Sequence, residues 1–339
     1  MVTIDDIARI AGVSNTTVSN VIHGKTKRVS QKTIERIQQI IEDHGYIPNM
    51  SARALASSSS KVVALINHLD PKKSGNFLED PFHSAFIGAV EQTLRESGYY
   101  LMIRTIINCD DLKAFLRNWN VDGLFLTGVF QAEDIYSTLS SLETPVVLID
   151  SYLDDYKQMI NIGLQDLEGG YLATKHLIEN GHRKIAFACP PIREGGVVSK
   201  RLEGYKKALL EFDIPFDESI IFVREFSTSG TTELGREIAK RNDITAIFAT
   251  ADVMAAGIMA GIHQEGRNVP EDYSIIGFDD INWCRMTYPM LSSVHQDANL
   301  KGELAADYMM KLLEGEAVKS REIILPVSLS IRNSVMKRK

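Results

Sequence analysis

The feature that most narrows the possible folds is a series of short, continuous apolar runs that begins at Val62. The runs are Val62–Ile66, Leu101–Ile103, Gly123–Leu126, Val146–Ile149, Ile185–Ala188, Ile220–Val223, Ala246–Ala249 and Ser274–Phe278. Unbroken aliphatic and β-branched runs of this length suit strands covered on both faces, as in parallel sheets. Amphipathic helical patterns lie between them at roughly 83–97, 168–180, 200–212, 230–241 and 252–265, with Gly98, Gly181 and Gly266 where left-handed C-caps belong. This alternation predicts a doubly wound α/β body with a parallel sheet. The length from Val62 onward suits two such sheets better than one. The segments near Asn161–Leu164 and Leu291–Gln296 are then expected to cross between two lobes.

The first 48 residues have a different texture. Thr3 and Asp6 resemble a capping box, and Ile4, Ile7, Ala8 and Ala11 form one helical face. Gly12 breaks that helix. Ser14 caps a second, carrying Val18 and Ile22. A polar, basic loop runs from Gly24 to Val29, and Ser30 caps a third helix with Ile34, Ile37 and Ile41 inward, ending near Gly45 and Pro48. The tight Ala11-Gly12-Val13-Ser14 turn presents a second helix bearing Asn15, Thr16, Ser19 and Asn20, short polar side chains suited to base edges in a major groove. Lys25, Lys27, Arg28 and Lys32 follow where phosphates would run. The plainer reading is a polar three-helix bundle with no nucleic-acid role. Residues 50–56 have helix-forming composition without an apolar face, and Ser57–Ser60 reads as a flexible linker. The expected division is therefore a helix-turn-helix domain over 1–48, a hinge helix and linker over 49–60, and a two-lobed core over 61–339.

Charge agrees with that division. The 339 residues carry a net charge of −7, which taken whole argues against a nucleic-acid partner. Residues 1–61, however, hold eight bases against five acids, a local +3, and the remaining 29 bases and 39 acids make −10. Three widely spaced cysteines without a CxxC suit a reducing compartment and rule out a disulfide scaffold or zinc ribbon. The sequence shows neither a secretory signal nor an apolar run of membrane-spanning length, so a cytoplasmic protein without a membrane partner is expected. No metal or cofactor is expected either. The histidines form no HxxxH pair, His23-Gly24-Lys25-Thr26 lacks the first glycine of a phosphate-binding loop, and no G-x-S-x-G occurs.

The stretch from Thr3 to Asn20 resembles the signature of the lactose-repressor (LacI/GalR) family of bacterial transcription regulators. The resemblance continues through Val29-Ser30, Tyr46-Ile-Pro-Asn49, Ala52-Arg53-Ala54-Leu55, Asp80-Pro81-Phe82, Val121-Asp122-Gly123, Gly169-Gly170, His176-Leu177-Ile178, Gly181-His182-Arg183, Arg201–Tyr205 and Gly277–Asp280, covering essentially the whole chain. It implies a helix-turn-helix head, a hinge helix and a core similar to periplasmic sugar-binding proteins. The DNA-facing set it implies is Thr3, Ser14, Asn15, Thr16, Thr17, Ser19, Asn20, His23, Arg28, Ala52 and Leu55. Leu55 matches the family's minor-groove wedge, an apolar side chain that unstacks a base step; on the residues alone, packing under the linker is an equal reading. Asn20 stands where the family often has Arg, which favours adenine over guanine contacts.

A second site is expected in the cleft between lobes. Asp150, Asp252 and Asp279 each follow a strand, where ligands of α/β sheets sit and where paired carboxylate oxygens suit sugar hydroxyls. Singly, such acids are more often caps or turn residues. The resemblance implies effector contacts from Asp150, Arg201 and Asp279, with Phe82 at the cleft mouth and Phe226 as a stacking ring; Ala251 replaces an Asn common in the family. The function expected is a dimeric repressor whose affinity for a pseudo-palindromic operator is set by a bound sugar or sugar derivative, corepression and activation being variants of that scheme. No leucine-heptad tail follows Ile331, which favours a dimer over a tetramer. The alternative is a sugar-binding or sugar-transforming enzyme using the cleft carboxylates as acid and base, for which the first 60 residues would be superfluous.

Overall fold

Local capping chemistry builds the first helices as the spacing predicts. In the computed structural model, which describes residues 2–22, 24–46, 59–69, 76–130 and 134–338, α1 (Ile4–Ala11) opens on a complete capping box. The Thr3 hydroxyl accepts from the Asp6 N–H at 3.3 Å, and the Asp6 carboxylate accepts from the Thr3 N–H at 3.0 Å. Gly12 turns left-handed at φ +63° and ends the helix. Ser14 Oγ accepts from the Thr17 N–H at 3.2 Å at the start of α2 (Asn15–Ile22), and Ser30 Oγ accepts from the Thr33 N–H at 3.3 Å at the start of α3 (Gln31–Asp43). Ile7, Ala8, Ala11, Val18, Val21 and Ile37 are buried together. On α2 it is Val21, three residues from Val18, that is buried; Ile22 is only partly covered. The chain divides into two compact units, residues 1–60 and 61–339. The expected hinge helix over 49–60 lies, apart from Ser59 and Ser60, outside the described residues.

In the second unit the apolar runs become two six-stranded sheets. The first consists of β1 (Val62–His68), β2 (Tyr100–Ile106), β3 (Gly123–Thr127), β4 (Val146–Ile149), β5 (Ile160–Leu164) and β11 (Glu322–Leu325), in the order β11-β5-β4-β3-β1-β2. The second has β6 (Ile185–Cys189), β7 (Ile221–Val223), β8 (Ala246–Ala249), β9 (Ser274–Asp279), β10 (Ser292–His295) and β12 (Ser328–Ser330), in the order β12-β10-β9-β8-β6-β7. Every pairing described is parallel except that of β10 with β12. Helices α4 (Pro81–Glu96), α5 (Cys109–Asn118), α6 (Asp134–Ser140), α7 (Asp166–Glu179), α8 (Val197–Glu211), α9 (Thr228–Ile238), α10 (Asp252–Gln264) and α11 (Ala298–Leu313) cover the sheets. Gly98, Gly181 and Gly266 all have positive φ, as C-cap positions require.

The chain crosses between lobes after β5 and after β10, at the two segments read from the sequence, and a third time between β11 and β12. That third crossing was not expected, because its strands are short and partly exposed. Helices α5, α6 and α11 were also not anticipated. Two glycine pairs let helices meet backbone to backbone. A Cβ on Gly170 of α7 would lie 2.1 Å from the Arg201 carbonyl, and one on Gly204 of α8 would lie 2.0 Å from the Leu167 carbonyl. Gly235 and Gly261 play the same part between α9 and α10.

Candidate functional site

Both sheets reverse strand order beside their first strand, so the carboxyl ends of their strands open onto a shared crevice. A cavity of about 600 Å³ lies there. From the first lobe it is lined by Asn67 at the end of β1, Thr127 at the end of β3 and Asp150 after β4. From the second come Thr250 after β8, Asp279 at the end of β9 and Gln296 on the crossing after β10. Five of the six expected effector residues, Phe82, Asp150, Arg201, Phe226 and Asp279, line this cavity. Asp150 and Asp279 hold left-handed backbone, at φ +50° and +111°, strained for any side chain but glycine.

Asp252 is the exception. Its carboxylate accepts from the Ile281 N–H at 3.0 Å and from Ser293 Oγ at 2.7 Å, tying the start of α10 to the segment after β9 and to β10. It is 1% exposed and does not line the cavity. Burial pushes its carboxyl up to about 7. A strand-end position is shared by caps and ligand contacts, and here the local hydrogen-bonding demand of the β9 loop takes the side chain.

Hydrogen bonds through buried charged and amide side chains link cavity-lining residues of the two lobes. Lys301 of α11 is fully buried, and its ammonium donates to both Asp150 oxygens at 2.8 Å and to Gln296 Oε1 at 3.0 Å, using all three of its protons. Gln296 Nε2 in turn donates to Asp279 at 2.6 Å. Arg201 Nε donates to Asp166 at 2.7 Å, its Nη1 donates to the Thr250 carbonyl at 2.5 Å, and its guanidinium lies 3.5 Å from the centre of the Phe278 ring. The other oxygen of Asp166 accepts from the Tyr152 hydroxyl. Burial raises the Asp166 and Asp279 carboxyls above the usual range, with Arg201 opposing the shift in both. Lys301, Gln296, Asp166 and Tyr152 were missed from sequence. Only the placement of Asp166 and Gln296 beside the two expected crossings signalled them, whereas a helical lysine ordinarily reads as solvent-exposed.

In the first unit, Ser14, Asn15 and Thr16 are exposed on the start of α2, and Thr17, Ser19 and Asn20 are half-buried. Asn15 is not free, since its amide donates to the Asp5 carboxylate. Thr3 is engaged in its capping box, and Thr17 Oγ1 lies 2.9 Å from Ser14 Oγ. Lys25, Lys27, Arg28 and Lys32 are all exposed. His23, Ala52 and Leu55 lie outside the described residues. Among the described residues, no group of three or more His, Cys, Asp or Glu side chains is placed to hold a metal, and no helix is long and apolar enough to cross a membrane.

Comparison with known proteins places both units. Residues 3–49 match the model of bacterial regulatory proteins of the lacI family, and residues 174–335 match a periplasmic binding protein-like domain. The chain is 30% identical to the HTH-type transcriptional regulator CelR of Thermobifida fusca, over 98% of each chain. It is 33% identical to the HTH-type transcriptional repressor PurR of Haemophilus influenzae (strain PittEE), over 99% of each. Among solved structures it resembles a lac repressor dimer bound to operator and the anti-inducer ONPF, with a TM-score of 0.84, 26% identity and 99% of each chain covered. It also resembles a CelR–cellobiose complex, with a TM-score of 0.72, 28% identity and 98% and 100% covered. With full-length identity at this level and the head, turn and two-lobed core all in place, the chain belongs to the lacI family of bacterial regulatory proteins.

Proposed function

We propose that this protein is a cytoplasmic, dimeric repressor that binds a pseudo-palindromic operator through its first unit and is switched by a sugar or sugar derivative held in the cleft of its second. The observation that carries the reading is the hydrogen-bonded chain Asp150–Lys301–Gln296–Asp279, which joins the two lobes at the cavity. A ligand that competes for these carboxylates changes the contacts between lobes, and a change of lobe angle is the quantity a hinge transmits to DNA. A lac repressor dimer seen on operator DNA and a CelR seen with cellobiose, both similar over nearly the whole chain, support the same scheme.

On this reading the DNA contacts come from Thr3, Ser14, Asn15, Thr16, Thr17, Ser19, Asn20, His23 and Arg28. Residues 49–60 form a hinge helix on DNA, with Ala52 and Leu55 in the minor groove. The effector contacts come from Phe82, Asp150, Arg201, Phe226 and Asp279. Catalysis is not part of the scheme, because Asp150, Asp166 and Asp279 are each committed to hydrogen bonds with Lys301, Arg201 or Gln296 rather than poised to exchange a proton. The test is selection of duplexes from a random pool by the purified full-length protein at physiological salt. Enrichment of a two-fold symmetric sequence supports the reading; binding no tighter than to random DNA ends it.

A further inference from the structure

Helix α1 opens with two carboxylates that serve different partners. Asp6 completes the capping box with Thr3 and receives Arg9 Nη2 at 2.6 Å. Asp5 stands outside that cap and is exposed. Its carboxylate reaches across the turn and accepts from the side-chain amide of Asn15, ten residues further along and the first residue of α2.

The scaffold does not need this bond. The Gly12 N–H donates to the Arg9 carbonyl at 3.3 Å and the Val13 N–H to the Ala8 carbonyl at 3.0 Å, which closes the turn through the backbone. Ile7, Ala8 and Ala11 pack with Val18 and Val21. Ser14, paired with Thr17, supplies the cap of α2, so Asn15 is not used for capping. A single hydrogen bond between exposed side chains adds little to this stability.

What the bond does is orient an amide. Adenine accepts at N7 and donates at N6, so an asparagine reads it only with Nδ2 and Oδ1 in one order. An unrestrained amide can turn by half a rotation and present the reverse order. A carboxylate only accepts, so Asp5 holds Nδ2 on its own side and leaves one N–H and Oδ1 of Asn15 for a base edge. The arrangement has a cost, because Asp5 adds negative charge to a surface that meets phosphates.

Resting on the reading that the first unit binds an operator through α2, we infer that Asp5 is a positioning residue: it orients the Asn15 amide and so sets the base preference at one symmetry-related pair of operator positions, at the expense of overall affinity.

The test compares full-length parent, Asp5→Ala, Asp5→Asn, Asn15→Ala and the Asp5→Ala/Asn15→Ala double variant. Each is taken through selection from a random duplex pool, then titrated at fixed salt with the selected duplex, its single-base variants and random DNA. Asp5→Ala is expected to lower discrimination about fivefold or more at one pair of symmetric positions, to leave the other positions and the thermal midpoint unchanged, and to bind random DNA as tightly as the parent or more tightly. Asp5→Asn, which can donate as well as accept, is expected to lose the same preference. Asn15→Ala should lose it too, and adding Asp5→Ala should change no base preference further, since the two residues act as one unit. Unaltered discrimination in both Asp5 variants, a uniform loss over all positions, or a further change of preference in the double variant overturns the inference and leaves the regulator reading standing. A parent that selects no symmetric duplex strikes the regulator reading itself.

Discussion

Arg201 shows how much of the core depends on one side chain whose partners are distant in sequence. It neutralises a carboxylate, Asp166, that is wholly buried, and lies against the Phe278 ring. Removing the cation while leaving the anion is the costly case for buried pairs. Arg201→Met is expected to destabilise the core by about 3–5 kcal/mol in urea unfolding, and adding Asp166→Asn is expected to recover part of that loss. A double variant as unstable as the sum of its parts would mean the pair is not coupled. Asp252 makes a pH prediction. Its carboxyl sits near 7 in the folded core against an ordinary 3.8, so the folded state keeps a proton that the unfolded chain has released. Its contribution to stability is fully present below about pH 4 and is lost as the pH rises through about 7. Asp252→Asn removes that titration. The variant should gain stability relative to the parent as pH rises from 4 to 8, read by urea unfolding at stepped pH, and parallel curves would show that Asp252 does not titrate there.

At the scale of elements, the parts visible in sequence are those whose causes are local. The capping box at Thr3, the Ser14 and Ser30 caps, the Gly12 turn, the C-cap glycines and the apolar runs all act within a few residues, and each appears where its spacing placed it. Helix α11 and strands β11 and β12 were not legible because their apolar positions face partners far away in the chain, and Lys301 interrupts the α11 pattern. The packing of α7 on α8 is another element-level fact that the sequence states only obliquely, as Gly169-Gly170 and Gly204. With a Cβ on Gly204 placed 2.0 Å from a backbone carbonyl, the helices must separate. Gly204→Ala is expected to cost about 1–3 kcal/mol of core stability, the range for overpacking, and to lower the thermal midpoint. An unchanged midpoint would show that the helices slide freely.

For the whole molecule, the −7 net charge is the sum of two different objects. The basic first unit carries exposed Lys25, Lys27, Arg28 and Lys32 beside α2, and the acidic second unit carries the cavity. Deleting residues 1–60 is expected to leave the core folded and able to bind its effector while abolishing duplex binding, checked by calorimetry and gel shift on the same preparation. Loss of effector binding on deletion would mean that the site draws on the head. Operator affinity of the intact protein should fall steeply with salt, because the basic residues displace counterions from phosphates, and the factor by which effector changes operator affinity should equal the factor by which operator changes effector affinity.

Sequence by itself determined the class of the protein and the order of its parts: a capped helix-turn-helix head, then apolar runs and amphipathic helices wound into two lobes, with acids at strand ends. Those features follow from short-range periodicity, capping and turn geometry, which are written in neighbouring residues. Only the tertiary structure decided which acids line the cleft and which are turned into the scaffold. Asp150 meets Lys301 across 151 residues of chain, Arg201 meets Asp166 across 35, and Asp252 is turned away toward Ile281 and Ser293. Desolvation makes an unpaired buried charge so unfavourable that each such group must find a partner wherever the fold supplies one, and which partner that is depends on the packed arrangement of the two lobes.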